Sequence, residues 1–187
     1  MNFSTALLGS LFPLVIAAQQ QVAQQPLLSP RDSTQIVFNG KRIFIDYGAP
    51  SKRGREIFGA LVPYTRWWRT GANEATSFKT DVDLTVGDTL LPKGEYTLYT
   101  LPSETQWKLI INKQTGQWGT VYNHDMDVVR VPMKMKWQSN VVERMKMSLV
   151  RNGNGVVQLK IRWDKLLVWA EFKLRNGTVN GKGKGKN

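Results

Sequence analysis

VRVPMKMKW (129–137) decides the fold of this chain. Val129, Val131, Met133, Met135 and Trp137 alternate with Arg130, Lys134 and Lys136. A period of two places the first set on one face of an extended strand and the cations on the other. The pattern recurs downstream. In Glu143–Leu149, Met145, Met147 and Leu149 oppose Arg144 and Lys146, and in the next run Val157, Leu159, Ile161 and Trp163 oppose Gln158, Lys160 and Arg162. Asn152-Gly153-Asn154-Gly155 turns the chain between these two runs. Asp164-Lys165 predicts a tight turn into Leu166–Leu174, where Val168, Ala170, Phe172 and Leu174 share a face.

Upstream, Thr34–Phe38 and Lys41–Tyr47 flank Asn39-Gly40, the strongest two-residue hairpin signal. Strands follow at Thr76–Thr80 and Asp83–Val86, with a turn at Gly87-Asp88. LPKGEYTLYTLP (91–102) gives another turn and strand, to which Gln106–Asn112 pairs. Alternating strands joined by short turns predict an antiparallel meander with one buried and one wet face. Single-faced strands must hide their apolar sides, which predicts an all-β, antiparallel two-sheet β-sandwich, jelly-roll-like, with a closed β-barrel as the alternative. Two segments break the pattern. Residues 48–75 form a loop of 28 residues, in which only Arg55–Leu61 can make a short helical turn. NKQTGQWGTVYNHDMD (112–127) is a second polar, glycine-containing loop. Loops this long in compact domains tend to be functional.

The chain has 187 residues and no cysteine, which excludes disulfides, thiolate metal sites and cysteine nucleophiles. Its first charged side chain is Arg31. Ala6–Ala18 (ALLGSLFPLVIAA) is an apolar run ending in small residues. At 1.5 Å per residue it rises about 20 Å, short of a hydrocarbon core of about 30 Å. It reads as a signal peptide (1–18, cleavage near Ala18), although its start lacks a Lys or Arg. The reading assigns 19–30 to a disordered linker, 31–175 to the domain and 176–187 to a disordered Lys/Gly-rich tail. The expected location is periplasmic or secreted. Net charge is +12, with ten Lys/Arg against eight Asp/Glu in residues 1–100 and sixteen against six thereafter. Such an excess favours acidic partners, and an envelope surface is more accessible to an exported protein than nucleic acid.

Catalytic signals are sparse. One histidine, His124, leaves no zinc cluster, and no G-x-S-x-G elbow frames a serine. No phosphate-binding glycine loop is present, and no metal or cofactor is expected. Arg130, Lys134, Lys136, Arg144, Lys146, Lys160 and Arg162 share the polar faces of successive strands. They form either a polyanion-contacting plate or a solvated exterior that resists aggregation.

WWRTGANEAT (67–76) crowds two indoles, a guanidinium, an amide and a carboxylate into ten positions. If extended, Trp67 and Trp68 point to opposite faces. Gly71 permits a turn that brings Arg69 and Glu74 together. Arg69 offers a planar fork for a carboxylate or phosphate. Two readings stand. In one, Arg69 and Glu74 bond each other or nearby backbone and pin the loop. In the other, Arg69, Asn73 and Glu74, with Asp46 and Arg53, line a pocket walled by Tyr47, Trp68 and Trp118.

DYGAPSKRGREIFGALVPY (46–64), WRTGANEAT (68–76), LPKGEYTLYTLP (91–102), WKLIIN (107–112) and QWG (117–119) together resemble the bacterial domain of unknown function 2911 family. The likeness spans roughly residues 28–174. It implies an exported, small β-rich domain and directs attention to the long loop, but implies no activity. The Lys-rich tail and the cations of the last strands depart from the family pattern. The expectation is a non-catalytic binding or envelope-associated module for a small polar or anionic ligand. The alternatives are a small hydrolase or isomerase using Glu74 or Asp46 as general base, and a structural partner-binding protein.

Overall fold

The structure, a computed structural model, describes residues 28–175. The segments expected to be a signal peptide and a Lys/Gly-rich tail, and most of the expected linker, lie outside the described residues. Nine strands form: β1 (Arg31–Phe38), β2 (Lys41–Gly48), β3 (Thr76–Thr80), β4 (Leu84–Val86), β5 (Thr89–Leu91), β6 (Gly94–Leu101), β7 (Trp107–Asn112), β8 (Asp127–Arg151) and β9 (Val156–Leu174). The helical element among the described residues is one 3-10 turn, His124–Met126. The turn at Asn39-Gly40 closes the first hairpin with both residues at positive φ (48° and 75°), as the twist of a two-residue hairpin requires.

All neighbours pair antiparallel in the order β1-β2-β3-β6-β7-β8-β9-β4-β5. The continuous sheet bends over at β8. Residues Asp127–Met133 pair with β7, and Lys134–Trp137, Val142 and Lys146–Arg151 pair with β9. Two layers sharing β8 result, and they meet face to face: the Phe78 ring of β3 lies 5.4 Å from Phe172 of β9. The sheet does not close into a barrel; β1 and β5 remain its edges. Side chains bridge the seam where β1 and β2 come back against β8. Met147 N–H donates to the Tyr47 hydroxyl (2.9 Å), Leu149 N–H to Thr34 Oγ1 (3.2 Å), and Arg151 Nη2 to the Val37 carbonyl (2.6 Å).

Two expected boundaries differ. No turn forms at Asp164-Lys165, and Glu143–Leu149 is not a separate strand; both runs belong to long strands. In β9, Val157, Leu159, Ile161 and Trp163 point inward, and so do Leu166, Val168, Ala170 and Phe172. Inward residues change from odd to even numbers, which costs one extra residue. Asp164, at φ 48°, takes it up as a bulge rather than a reversal. Opposite, the ladder register slips between Trp137 and Val142 and again between Val142 and Lys146. Trp137 therefore ends the inward row at the rim and is 53% exposed, although the alternation predicts it inside. Within the long loop, the turn expected at Arg55–Leu61 is a wide one, in which Leu61 N–H reaches Glu56 O (3.4 Å) and Val62 N–H reaches Ile57 O (2.8 Å).

Tyr47 is fully enclosed, and its hydroxyl also donates to Asp32 Oδ2 (3.0 Å). Burial pushes its pKa up. Tyr47→Phe should lower stability by about 1–3 kcal/mol in a denaturant titration, because Met147 N–H loses its acceptor. The raised pKa sets a sign. The folded state holds the phenolic proton more tightly than the unfolded chain, so this stabilisation is whole below about pH 10 and is lost as pH climbs towards the folded value. Wild-type stability should therefore fall above that pH, and the variant's fall should be shallower.

Candidate functional site

Backbone pairing fixes the course of the 48–75 loop. Pro50 and Lys52 reach β8, where Met145 N–H donates to Pro50 O (2.9 Å) and Lys52 N–H donates to Glu143 O (2.7 Å). These groups are free because the slipped register withdraws that part of β8 from β9. Lys52 Nζ pairs with Asp164 (2.8 Å), tying the loop to the bulge itself. Farther on, Thr65 N–H donates to Pro102 O (2.8 Å), and Trp68 exchanges two bonds with Thr100 beside β6 (2.7 and 3.0 Å). The end of the loop meets the second loop: Ala75 N–H donates to Gln117 O (3.2 Å), and Gly119 N–H to Asn73 O (3.0 Å).

The two indoles of the opening Trp-Trp pair do separate. Trp68 turns inward and stacks on Trp163 (6.1 Å, 15° between planes), with Trp107 edge-on at 6.2 Å. Phe58 closes the same cluster, 5.5 Å from Trp107 and 6.2 Å from Trp137. Trp67 takes the other side and packs on Tyr122 (4.8 Å) and Tyr99 (5.6 Å). Each such pair contributes roughly 0.5–1.5 kcal/mol beyond area burial, so the loop is anchored from both faces.

Between these anchors an open cleft of about 360 Å³ is lined by Arg66, Trp67, Trp68, Arg69, Gly119 and Thr120, with Pro63 at its edge. Arg69 Nε is occupied by Gly71 O (3.2 Å), which braces its own turn. Among the described residues no carboxylate pairs with Arg66 or Arg69. The wall is therefore cationic and aromatic.

Of the eight residues singled out in the sequence, Trp68 and Arg69 line this cleft. Trp118 is exposed (51%) beside Gly119 without lining it. Asp46 and Glu74 lie elsewhere, gathered by Arg31, which pairs with Asp46 and reaches Glu74 Oε2 at 3.4 Å. Asn73 Nδ2 donates to Ser29 O (3.4 Å). Arg53 donates through Nη2 to Leu28 O (3.0 Å), and its N–H bonds Glu143 Oε1 (2.8 Å). Tyr47 belongs to the core rather than to any wall. Arg69 and Glu74 do not pair. Arg66, Gly119 and Thr120 were not legible as site residues; Arg66 directly precedes the Trp-Trp pair, which was the available signal.

A partly buried polar network holds the tyrosines on which Trp67 packs. Asp127 accepts from Tyr122 Oη (2.6 Å), Arg130 Nε (2.7 Å) and Asn112 Nδ2 (2.7 Å). Burial and the neighbouring Asp127 push the Tyr122 hydroxyl up, so it stays a donor. Gln117 Nε2 donates to Tyr99 Oη (2.8 Å), whose own proton goes to Val121 O (2.7 Å). Trp67 rests on both tyrosines and inherits their rigidity.

A family model described as "Protein of unknown function (DUF2911)" matches residues 29–172. The chain belongs to that family. No curated protein and no solved structure matches it. The match covers both loops and the whole cleft, and in this member of the family three glycines make the loop contacts possible. A Cβ on Gly48 would sit 2.1 Å from Ala72 O, one on Gly71 2.9 Å from Thr76 Oγ1, and one on Gly119 2.5 Å from both Arg69 Cδ and Asn73 O.

The seven cations read as a plate do not act alike. Arg130 is paired with Asp127 and Lys134 with Glu171 (3.6 Å). Arg144 lies in the displaced part of β8, opposite Ser51. Lys136 is exposed, opposite Leu167. Lys146, Lys160 and Arg162 share the outer face of the β8–β9 pair.

Gly119→Ala should force Arg69 and the Asn73 carbonyl apart. We expect a loss of about 1–3 kcal/mol in denaturant unfolding and a changed near-ultraviolet dichroism from Trp67 and Trp68. An unchanged spectrum and midpoint would show that the two loops are not locked at this point.

Proposed function

We propose that the protein is an exported, envelope-associated binding module whose cleft takes a small, ring-bearing anion of the acidic-sugar type. The observation that carries this reading is the cleft lined by Arg66, Arg69, Trp67 and Trp68, without a carboxylate partner for either arginine among the described residues. A guanidinium fork holds a carboxylate through charge-assisted bonds, and an indole face covers the apolar side of a sugar ring. An open, shallow site suits exchange with a soluble or surface-borne ligand. The uncharged apolar run at residues 6–18 supports export.

A general-base role for Asp46 or Glu74 gains no support from the geometry. Neither lines the cleft, and both are engaged by Arg31. A base must reach the proton it removes, and neither carboxylate is part of the cleft wall.

Calorimetric titration with uronic acids and with matched neutral sugars tests the proposal. Wild type should bind the acids, and Arg66→Ala should weaken them at least about ten-fold, since a hydrogen bond to a charged group is worth about 1.5–3 kcal/mol. Arg66 is the informative position because Arg69 also braces the loop. Equal heats for acidic and neutral sugars, or an unaltered Arg66→Ala titration, would overturn it.

A further inference from the structure

On the outer face of the β8–β9 layer, Lys146 and Arg162 are directly opposed in register. Opposed residues in an antiparallel pair place their side chains on one face, with Cβ atoms about 4.5–5.5 Å apart. Two cations so placed repel each other, and opposite charges are the arrangement that stabilises a sheet. The next opposed pair is Ser148 and Lys160, which adds a hydroxyl and a third cation on the same side. Arg162 is half-buried, and its Nε is shielded from solvent with no hydrogen-bond partner. Among the described residues none of these three cations has a carboxylate partner.

The nearby acids are already engaged. Asp164, two residues along β9 at the bulge, pairs with Lys52 (2.8 Å). Glu143 receives Arg53 N–H (2.8 Å). Glu171 accepts from Gln158 Nε2 (2.9 Å) and faces Lys134 (3.6 Å). The local set is therefore a guanidinium, two ammonium groups and a hydroxyl, on one face of a two-strand ladder. Donors of this number and kind match the several acceptor oxygens of a tetrahedral oxyanion, to which Arg supplies a planar fork and Lys a point charge.

We propose that Lys146, Arg162, Lys160 and Ser148 form a binding site for a phosphate-type oxyanion. The anion offsets the repulsion across the ladder and is held by the terminal guanidinium nitrogens of Arg162 together with the lysines. Its source is either free phosphate or the phosphodiester headgroup of an anionic lipid. The site is separate from the Arg66–Arg69 cleft, so either assignment can fail alone.

The test is thermal unfolding of the full mature chain in inorganic phosphate against chloride at matched ionic strength. Wild type should show a saturable rise in Tm with phosphate. Lys146→Gln and Arg162→Gln should each weaken the apparent phosphate affinity at least ten-fold, while Arg66→Ala keeps the full response. In chloride at low ionic strength Lys146→Gln should be at least as stable as wild type, which separates loss of the anion from misfolding. Flotation with phosphatidylglycerol and with phosphatidylcholine vesicles identifies the source. Capture by the anionic vesicles that is lost in both Gln variants assigns a headgroup, and a phosphate response without capture assigns the free ion. A wild-type Tm that phosphate raises no more than chloride does, or a full phosphate response in Lys146→Gln, overturns the proposal.

Discussion

The bulge at Asp164, with its slipped partner segment in β8, is the constraint on which the rest of the structure depends. A strand of 19 residues cannot bury Trp163 and Leu166 on the same face without one extra residue between them. Asp164 supplies it in a left-handed conformation, at a cost of about 1–3 kcal/mol for a non-glycine residue. Lys52 offsets part of that cost through a half-buried ion pair. The matching slip in β8 frees the backbone of Glu143 and Met145, and the long loop takes up both. Phe58 and Trp68 are thereby seated over Trp107 and Trp163. The cleft follows from that seating. Without the slip, β8 and β9 would pair throughout, and residues 50–52 would have no edge to join.

Period-two alternation made the fold legible, because each strand buries one face and the residues say which. Val129 and Met133 are inward as read, as are Met145, Met147 and Leu149. The same signal could not distinguish a reversal from a bulge at Asp164-Lys165. Both shift the apolar parity by one, and only the partner strand decides between them. The rims were less legible. Trp137 obeys the alternation yet stands half in water, at the point where the β8–β9 register slips. At the candidate site, the sequence pointed to the loop that lines the cleft and missed the partners of its charged residues. Arg31 lies 43 residues from Glu74, and nothing local announces that it collects both Asp46 and Glu74.

That collection shapes the chemistry of the loop surface. Asp46 and Glu74 carry the negative charge beside β1, and Arg31 offsets part of it there. Arg66 and Arg69 line the cleft and have no carboxylate partner among the described residues. Had Arg69 paired with Glu74, the cleft would have been a closed structural clasp. Instead its Nε stabilises a turn while its terminal nitrogens remain available to a ligand.

The contrast between the two polar environments explains why unspent charge points to function here. Asp127 is nearly enclosed, its side chain 8% exposed, and three different side chains donate to it. An enclosed carboxylate left short of donors would cost several kcal/mol, so the interior enforces such pairing. The outer face of β8–β9 is under less pressure, although the Arg162 Nε there has no partner among the described residues. A like-charge pair there costs only about 0.2–1 kcal/mol, and salt screens it. Burial of Met147, Leu159, Ile161 and Trp163 beneath the same strands outweighs that several-fold, at about 1.5–3 kcal/mol for each large apolar side chain. The fold can therefore carry Lys146 beside Arg162 with no structural benefit from the pair. A repulsive contact that core packing readily tolerates, and that nearby acids do not neutralise, is most economically explained by a counter-ion from outside the chain.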